Sequence, residues 1–143
     1  MEKPIIELFN ESGTSAPDLN FTRLSSTIDR IYKDASFTYN WINVILLDSE
    51  NHTLMNNEYL KHDYPTDILT FEYRDNNNID GELYINLEVA EENAREYAVS
   101  LQNELERLII HGCLHLVGQK DHTKEEKREM RKLEDHYLNI LND

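Results

Sequence analysis

Cysteine is nearly absent from this chain: Cys113 stands alone in 143 residues, so no internal disulfide can form and a reducing cytoplasm is the expected setting. Long apolar runs are missing too. The longest, Val44-Ile45-Leu46-Leu47 and Leu108-Ile109-Ile110, fall far short of the roughly 20 residues that a spanning helix needs, so no membrane partner is expected. The opening Met1-Glu2-Lys3-Pro4-Ile5-Ile6 lacks a basic segment followed by an apolar one, and no signal peptide is expected. No stretch rich in proline and glycine divides the chain, and no repeat or low-complexity tract interrupts it, which points to one domain over residues 1–143. Positive charge is scarce as well. Fourteen Lys and Arg stand against 28 Asp and Glu, a net charge of −14 that repels phosphate backbones if spread evenly.

The charge is not spread evenly. Residues 120–132 hold six basic residues, Lys120, Lys124, Lys127, Arg128, Arg131 and Lys132, against four acidic ones, while the rest of the chain holds eight against twenty-four. A locally basic element therefore sits on an acidic body. It reads either as a solvated helix face laced with i,i+4 pairs or as a contact surface for an anion.

Hydrophobic periodicity alternates between strand and helix. Residues 5–9 read as a strand, followed by a loop over 12–17 and a helix over 18–34 whose apolar stripe is Phe21, Leu24, Ile28 and Ile31. Period two over residues 37–47, apolar on both faces toward its end, predicts a central strand covered on both sides. Tyr39 and Trp41 on it read as core. A short helix over 49–59 follows, then strands over 68–73 and 82–87 separated by a turn-rich connection over 74–81. The last third is helical, with stripes through Ala90, Ala94, Tyr97 and Ala98, then Leu101 to Leu116, then Met130 to Leu141. The expectation is an α+β fold: a small, mostly central mixed sheet with packed helices, in one domain.

The chemistry concentrates in His111-Gly112-Cys113-Leu114-His115-Leu116-Val117-Gly118-Gln119-Lys120-Asp121-His122. His111 and His115 lie one turn apart on a helix, about 5–6 Å apart at Cβ, a separation two ligands can close around one ion. Gly118 is placed to stop that helix, letting residues 119–121 loop back and present His122 as a third ligand. The helix end adds partial negative charge beside a cation. Three imidazoles suit Zn2+ and leave a fourth position for water, whose pKa such an ion brings from about 15.7 toward about 7. Cys113 is a poor fourth ligand, about 200° around the helix from His111. Asp121 could close the site instead. Gly112 occupies the position that carries the general base in His-Glu-x-x-His metalloproteases, so proteolysis loses ground. Asp67 reads either as a carboxylate orienting a ligand imidazole or as a turn residue before its strand. His52 and His136 show no partner spacing.

His111-Gly112-x-Leu114-His115-Leu116-x-Gly118 with Asp121-His122, together with Pro65-Thr66-Asp67-Ile68-Leu69-Thr70-Phe71, resembles the YbeY family of bacterial zinc-dependent endoribonucleases. The resemblance runs from about Met55 to the last helix. It implies a single-domain metallo-endoribonuclease with one zinc held by His111, His115 and His122, the first two catalytic. It further implies cleavage of single-stranded RNA in maturation of the 3′ end of the small-subunit (16S) ribosomal RNA and in ribosome quality control. The implied partners are rRNA and the small subunit, in the cytoplasm, with no DNA and no membrane. Three departures stand out. Six residues separate His115 from His122 where the family has five, Lys120 looking like the extra one, so Asp121 could approach the metal instead. Leu60 stands where the family carries an arginine, and His62 takes its lysine position. His62, Lys124, Lys127 and Arg128 are the candidate substrate-binding residues. The rival readings are a metal-dependent hydrolase of a non-RNA substrate and a non-catalytic zinc-containing ribosome-assembly factor.

Overall fold

A computed structural model describes residues 3–60 and 66–143, with Leu60 given by its backbone alone. Along the chain run β1 (Ile5–Asn10), α1 (Phe21–Asp34), β2 (Trp41–Leu47), α2 (Ser49–Leu60), β3 (Ile68–Asp75), β4 (Asn78–Asn86), α3 (Leu87–Glu96), α4 (Leu101–Leu116) and α5 (Lys124–Leu141). The strands form one sheet in the order β1-β2-β4-β3, with β1 and β4 both parallel to β2 and β3 antiparallel to β4. Burial follows apolar content. β2 is apolar on both faces toward its end and is central, while β1 and β3, with more exposed residues, take the edges. The result is the expected α+β domain with a mixed sheet.

The period-two alternation of β4 decides what packs where. Ile79, Leu83 and Ile85 are buried on the face that receives α1 and α4, whereas Glu82 and Tyr84 point to the other face, where α2 places Met55 and Tyr59. α5 closes the helical layer against α1 and α4 through Met130, Tyr137, Leu138 and Leu141. The Tyr137 hydroxyl donates to Asp34 at the end of α1, 2.7 Å away, which ties the last helix to the first.

Five local expectations are corrected. The strand expected over 37–47 begins only at Trp41. α1 ends in a left-handed residue, Ser36 (φ +63), and the Phe37 N–H returns to the Tyr32 carbonyl, so the chain first turns and then makes only an isolated bridge from Thr38 to Asn78 before β2 begins. Tyr39 is core, its ring tilted against that of Tyr32 with centroids 4.5 Å apart, but Trp41 lies on the other face of the sheet, half-buried beside Tyr73. The turn-rich connection over 74–81 is instead a hairpin whose turn is only Asn76-Asn77, with Asn76 in the left-handed region. Polar residues of an exposed edge strand had the composition of a loop. The strand expected to reach residue 87 stops at Asn86, whose side chain caps α3 by accepting from the Val89 N–H. Finally, Tyr97 and Ala98 are exposed: Ala98 takes φ +54 and ends α3.

Candidate metal centre

α4 carries the histidine pair because its sequence starts, packs and stops it there. Ser100 caps its first turn, accepting from the Asn103 N–H at 3.0 Å. Gly112 lets the helix approach the sheet: a Cβ there would stand 2.8 Å from a Leu83 methyl and 3.0 Å from one of Ile68. At the far end Gly118 (φ +101) and Gln119 donate to the His115 and Leu114 carbonyls, the paired bonds of a Schellman stop. The next helix fixes the returning loop. Thr123 and Glu126 form a capping box at the start of α5, and Glu126 also accepts from the His122 N–H at 3.1 Å.

Between these anchors three donor atoms converge. His111 Nε2 and His115 Nε2 are 3.0 Å apart, and Asp121 Oδ2 lies 3.5 Å from the first and 3.4 Å from the second. Two ligands about 2.0–2.1 Å from one ion at a tetrahedral angle stand about 3.3–3.4 Å apart. The set therefore approaches three corners of a tetrahedron that could hold a metal ion, with the edge between the two imidazoles about 0.3 Å short, and all three residues are partly buried. His122, expected as the third ligand, is exposed and outside this group; its side chain lines a cleft on the His115 side.

A second carboxylate orients the pair. Glu134 of α5, nearly buried, accepts from His111 Nδ1 at 2.6 Å and from Arg107 at 2.8 Å, and Arg107 also pairs with Asp135 at 2.7 Å. With Nδ1–H given to Glu134, the His111 lone pair sits on Nε2, facing His115 and Asp121. Burial opposes charging His111, but the Glu134 hydrogen bond and charge, with Asp67 and Asp121, outweigh it and hold its pKa above the ordinary value. His115 goes the other way: burial and the neighbouring His111 push its pKa down. The surroundings thus favour the charged form of one imidazole of the pair and the neutral form of the other.

The pair opens onto a cleft of about 520 Å³ on the His111 side, walled by Asp67, Glu104, Lys127 and Arg131 among others. On the His115 side lies another of about 440 Å³, between β3 and the loop after α4. Of the substrate candidates, Lys127 lines the first cleft, whereas Lys124 and Arg128 are exposed and line neither. His62 lies outside the described residues, as does the side chain of Leu60. Asp67 faces the first cleft near His111, but Glu134 is the group that holds the imidazole. His52 is fully buried away from this centre, its Nε2 2.9 Å from the Tyr84 carbonyl, and burial lowers its pKa. His136 is exposed beside Tyr137. Sequence reasoning missed Glu134, and it put Arg131 in the basic stretch without naming it among the substrate-binding candidates. The signal for Glu134 was a carboxylate one turn after Met130, inside the apolar stripe of α5.

Comparison with known proteins decides the family. A family model described as Endoribonuclease YbeY matches residues 10–142. The chain belongs to the YbeY endoribonuclease family. A YbeY protein of Chlorobium limicola, named Endoribonuclease YbeY, is 38% identical over 134 residues, 94% of this chain and 91% of that protein. One of the same name from Chlorobaculum tepidum is 37% identical over 93% of this chain and 95% of its own length. The solution structure of a protein from Thermotoga maritima superposes with a TM-score of 0.62 at 29% identity, covering 96% of this chain and 89% of that one. The YbeY assignment thus runs from the end of β1 through α5 and includes the histidine pair. Among the described residues no helix is long and apolar enough to cross a membrane.

Proposed function

We propose that this chain is a zinc-dependent endoribonuclease that cuts single-stranded RNA, acting in the cytoplasm in maturation of the 3′ end of the small-subunit rRNA and in ribosome quality control. The observation that carries the reading is the tetrahedral spacing of His111 Nε2, His115 Nε2 and Asp121 Oδ2 beside open clefts, in a chain of an endoribonuclease family. Two imidazoles, a carboxylate and a fourth position left to water are a donor set that suits catalytic zinc. Bound there, the ion supplies a Lewis acid for a phosphodiester oxygen and a water of lowered pKa.

The chain's own residues do the rest. Glu134 fixes the tautomer and ring angle of His111, and Arg107 keeps Glu134 in place. Lys127 and Arg131 give the first cleft cations for the phosphates leading to the centre. Lys124 and Arg128, exposed on the same helix, add only long-range attraction. Gly112 cannot serve as a base, which disfavours peptide hydrolysis. Asp67 adds negative charge near His111 without holding it.

A second reading of the third ligand has its own support: the family resemblance assigns His122, which lies beside His115 in the second cleft. Zinc affinity of Asp121→Asn and His122→Asn separates the two, since only loss of the true ligand weakens binding. The function itself is tested by metal analysis and RNA cleavage of wild type and His115→Ala. One zinc per chain and His115-dependent cleavage are expected. Zinc without such cleavage overturns the nuclease, pointing to a hydrolase of another substrate if water completes the coordination and to an assembly factor if a fourth protein ligand does.

A further inference from the structure

The cleft on the His115 side contains cations that the metal centre does not use. Its floor is His115 and Leu116. One wall is the edge strand β3, where Thr70, Glu72 and Arg74 alternate onto one face; the other is the loop after α4, with Lys120. Arg74 is held rather than free: its Nε donates to the Asn76 carbonyl at 3.0 Å, and its guanidinium sits 5.1 Å from the Phe37 ring centroid. That anchoring leaves its two terminal nitrogens, with four N–H groups, without an acceptor among the described residues. Glu72 shares the wall but makes no ion pair with Arg74 or Lys120 within 4.0 Å. The three charges sum to +1 in a molecule of −14. A single positive charge presenting a planar donor fork matches one phosphodiester, which carries a single negative charge. The volume of about 440 Å³ falls within the range of small-ligand pockets, about 300–1,000 Å³.

The position matters as much as the chemistry. His111 lines one cleft and His115 the other, yet their Nε2 atoms are 3.0 Å apart, so a strand whose scissile phosphate rests at the pair must send one arm into each cleft. We infer that the cleft between β3 and the loop after α4 is a subsite for the nucleotide adjoining the scissile phosphate of single-stranded RNA, with Arg74 and Lys120 binding that nucleotide's own phosphate. This rests on the endoribonuclease reading above. Arg74 and Lys120 are binding and positioning residues; neither reaches the metal ligands in the role assigned to it.

The test is a set of glutamine variants in two assays. Binding of a fluorescein-labelled single-stranded RNA is followed by anisotropy from 50 to 300 mM KCl in a His111→Asn background, which suppresses cleavage and leaves this cleft intact. Cleavage kinetics are measured in the otherwise wild-type chain loaded with zinc. Arg74→Gln with Lys120→Gln should flatten the dependence of log affinity on log salt by about 0.7, the slope of the one single-strand phosphate that the pair binds. The same pair should raise KM about tenfold and leave kcat within about twofold. Arg74→Lys, which keeps the charge, should retain the salt slope. Arg23→Gln with Lys33→Gln removes the same charge from α1 and should change neither assay. Equal effects of the two glutamine pairs, or an unchanged slope and KM in the Arg74/Lys120 pair while wild type cleaves RNA, overturn the subsite alone. A wild-type chain that neither binds nor cleaves RNA overturns the endoribonuclease reading and the subsite with it.

Discussion

At the scale of single residues, the centre depends on Glu134 as much as on its ligands. A carboxylate on His111 Nδ1 raises the basicity of the Nε2 that faces the metal, and it also raises the pKa at which a proton competes for that nitrogen. The two effects have opposite consequences at different pH. Below the raised His111 pKa the proton must be displaced, so wild-type affinity falls about tenfold per pH unit, starting at a higher pH than for an ordinary histidine. In Glu134→Gln the amide still accepts from Nδ1 but the charge is gone, burial then dominates, and the acidic limb moves to lower pH. Zinc affinity should drop roughly tenfold at pH 8, the low end for an outer hydrogen-bonding partner, and the gap to wild type should narrow toward pH 6. Competition with a chromophoric chelator at pH 6, 7 and 8 measures this. A gap that stays constant with pH would reduce Glu134 to a packing role.

At the scale of elements, α4 brings the site together only because Gly112 lets it lie close to β3 and β4. Replacing that glycine with alanine sets two magnitudes against each other. Helix propensity favours alanine by about 1 kcal/mol. The new methyl meets Leu83 and Ile68 at 2.8 and 3.0 Å in a packed interior, where overpacking costs about 1–3 kcal/mol. The clash wins, and Gly112→Ala should lower Tm by about 3–6 °C. Because His111 and His115 bracket the displaced turn, zinc affinity should fall with it. A Tm at or above wild type would mean that the sheet yields freely. The same elements show what the sequence could disclose. The α4 stripe, its glycine stop and the one-turn spacing of the histidines are local patterns, and they were legible. Features set by neighbours distant in sequence were not. Glu134 meets His111 across 23 residues, and the choice between Asp121 and His122 depends on how the capping box of α5 holds the preceding loop. The β3–β4 hairpin was misread for a related reason: on an exposed edge, pairing rather than composition makes a strand. Ala98 and Ser36, in left-handed helix stops where glycine is usual, hid two chain reversals.

At the scale of the whole molecule, a net charge of −14 and an RNA substrate pull in opposite directions, and salt separates them. The acidic body repels itself, which destabilises the compact state. Raising ionic strength from about 0.01 to 0.15 M shortens the screening length from about 30 to 8 Å and relieves that repulsion. RNA binding responds the other way. In the proposed mode of binding it rests on a few cations that line the clefts, Lys127 and Arg131 on one side and Arg74 and Lys120 on the other. About three phosphate contacts give a log–log salt slope near −2, modest beside the slope near −10 of proteins that bind nucleic acid through many contacts. Such a surface cannot hold RNA indiscriminately. It suits a strand that a larger assembly presents, as the proposed role on the small subunit requires. Thermal melts of the zinc-loaded protein over 0.01–0.15 M KCl should therefore show Tm rising by about 2–4 °C while RNA affinity falls about 300-fold. If Tm and affinity both fell with salt, stabilising ion pairs such as Arg107–Glu134 would outweigh the global repulsion, and the acidic body could not be what restricts the enzyme to presented RNA.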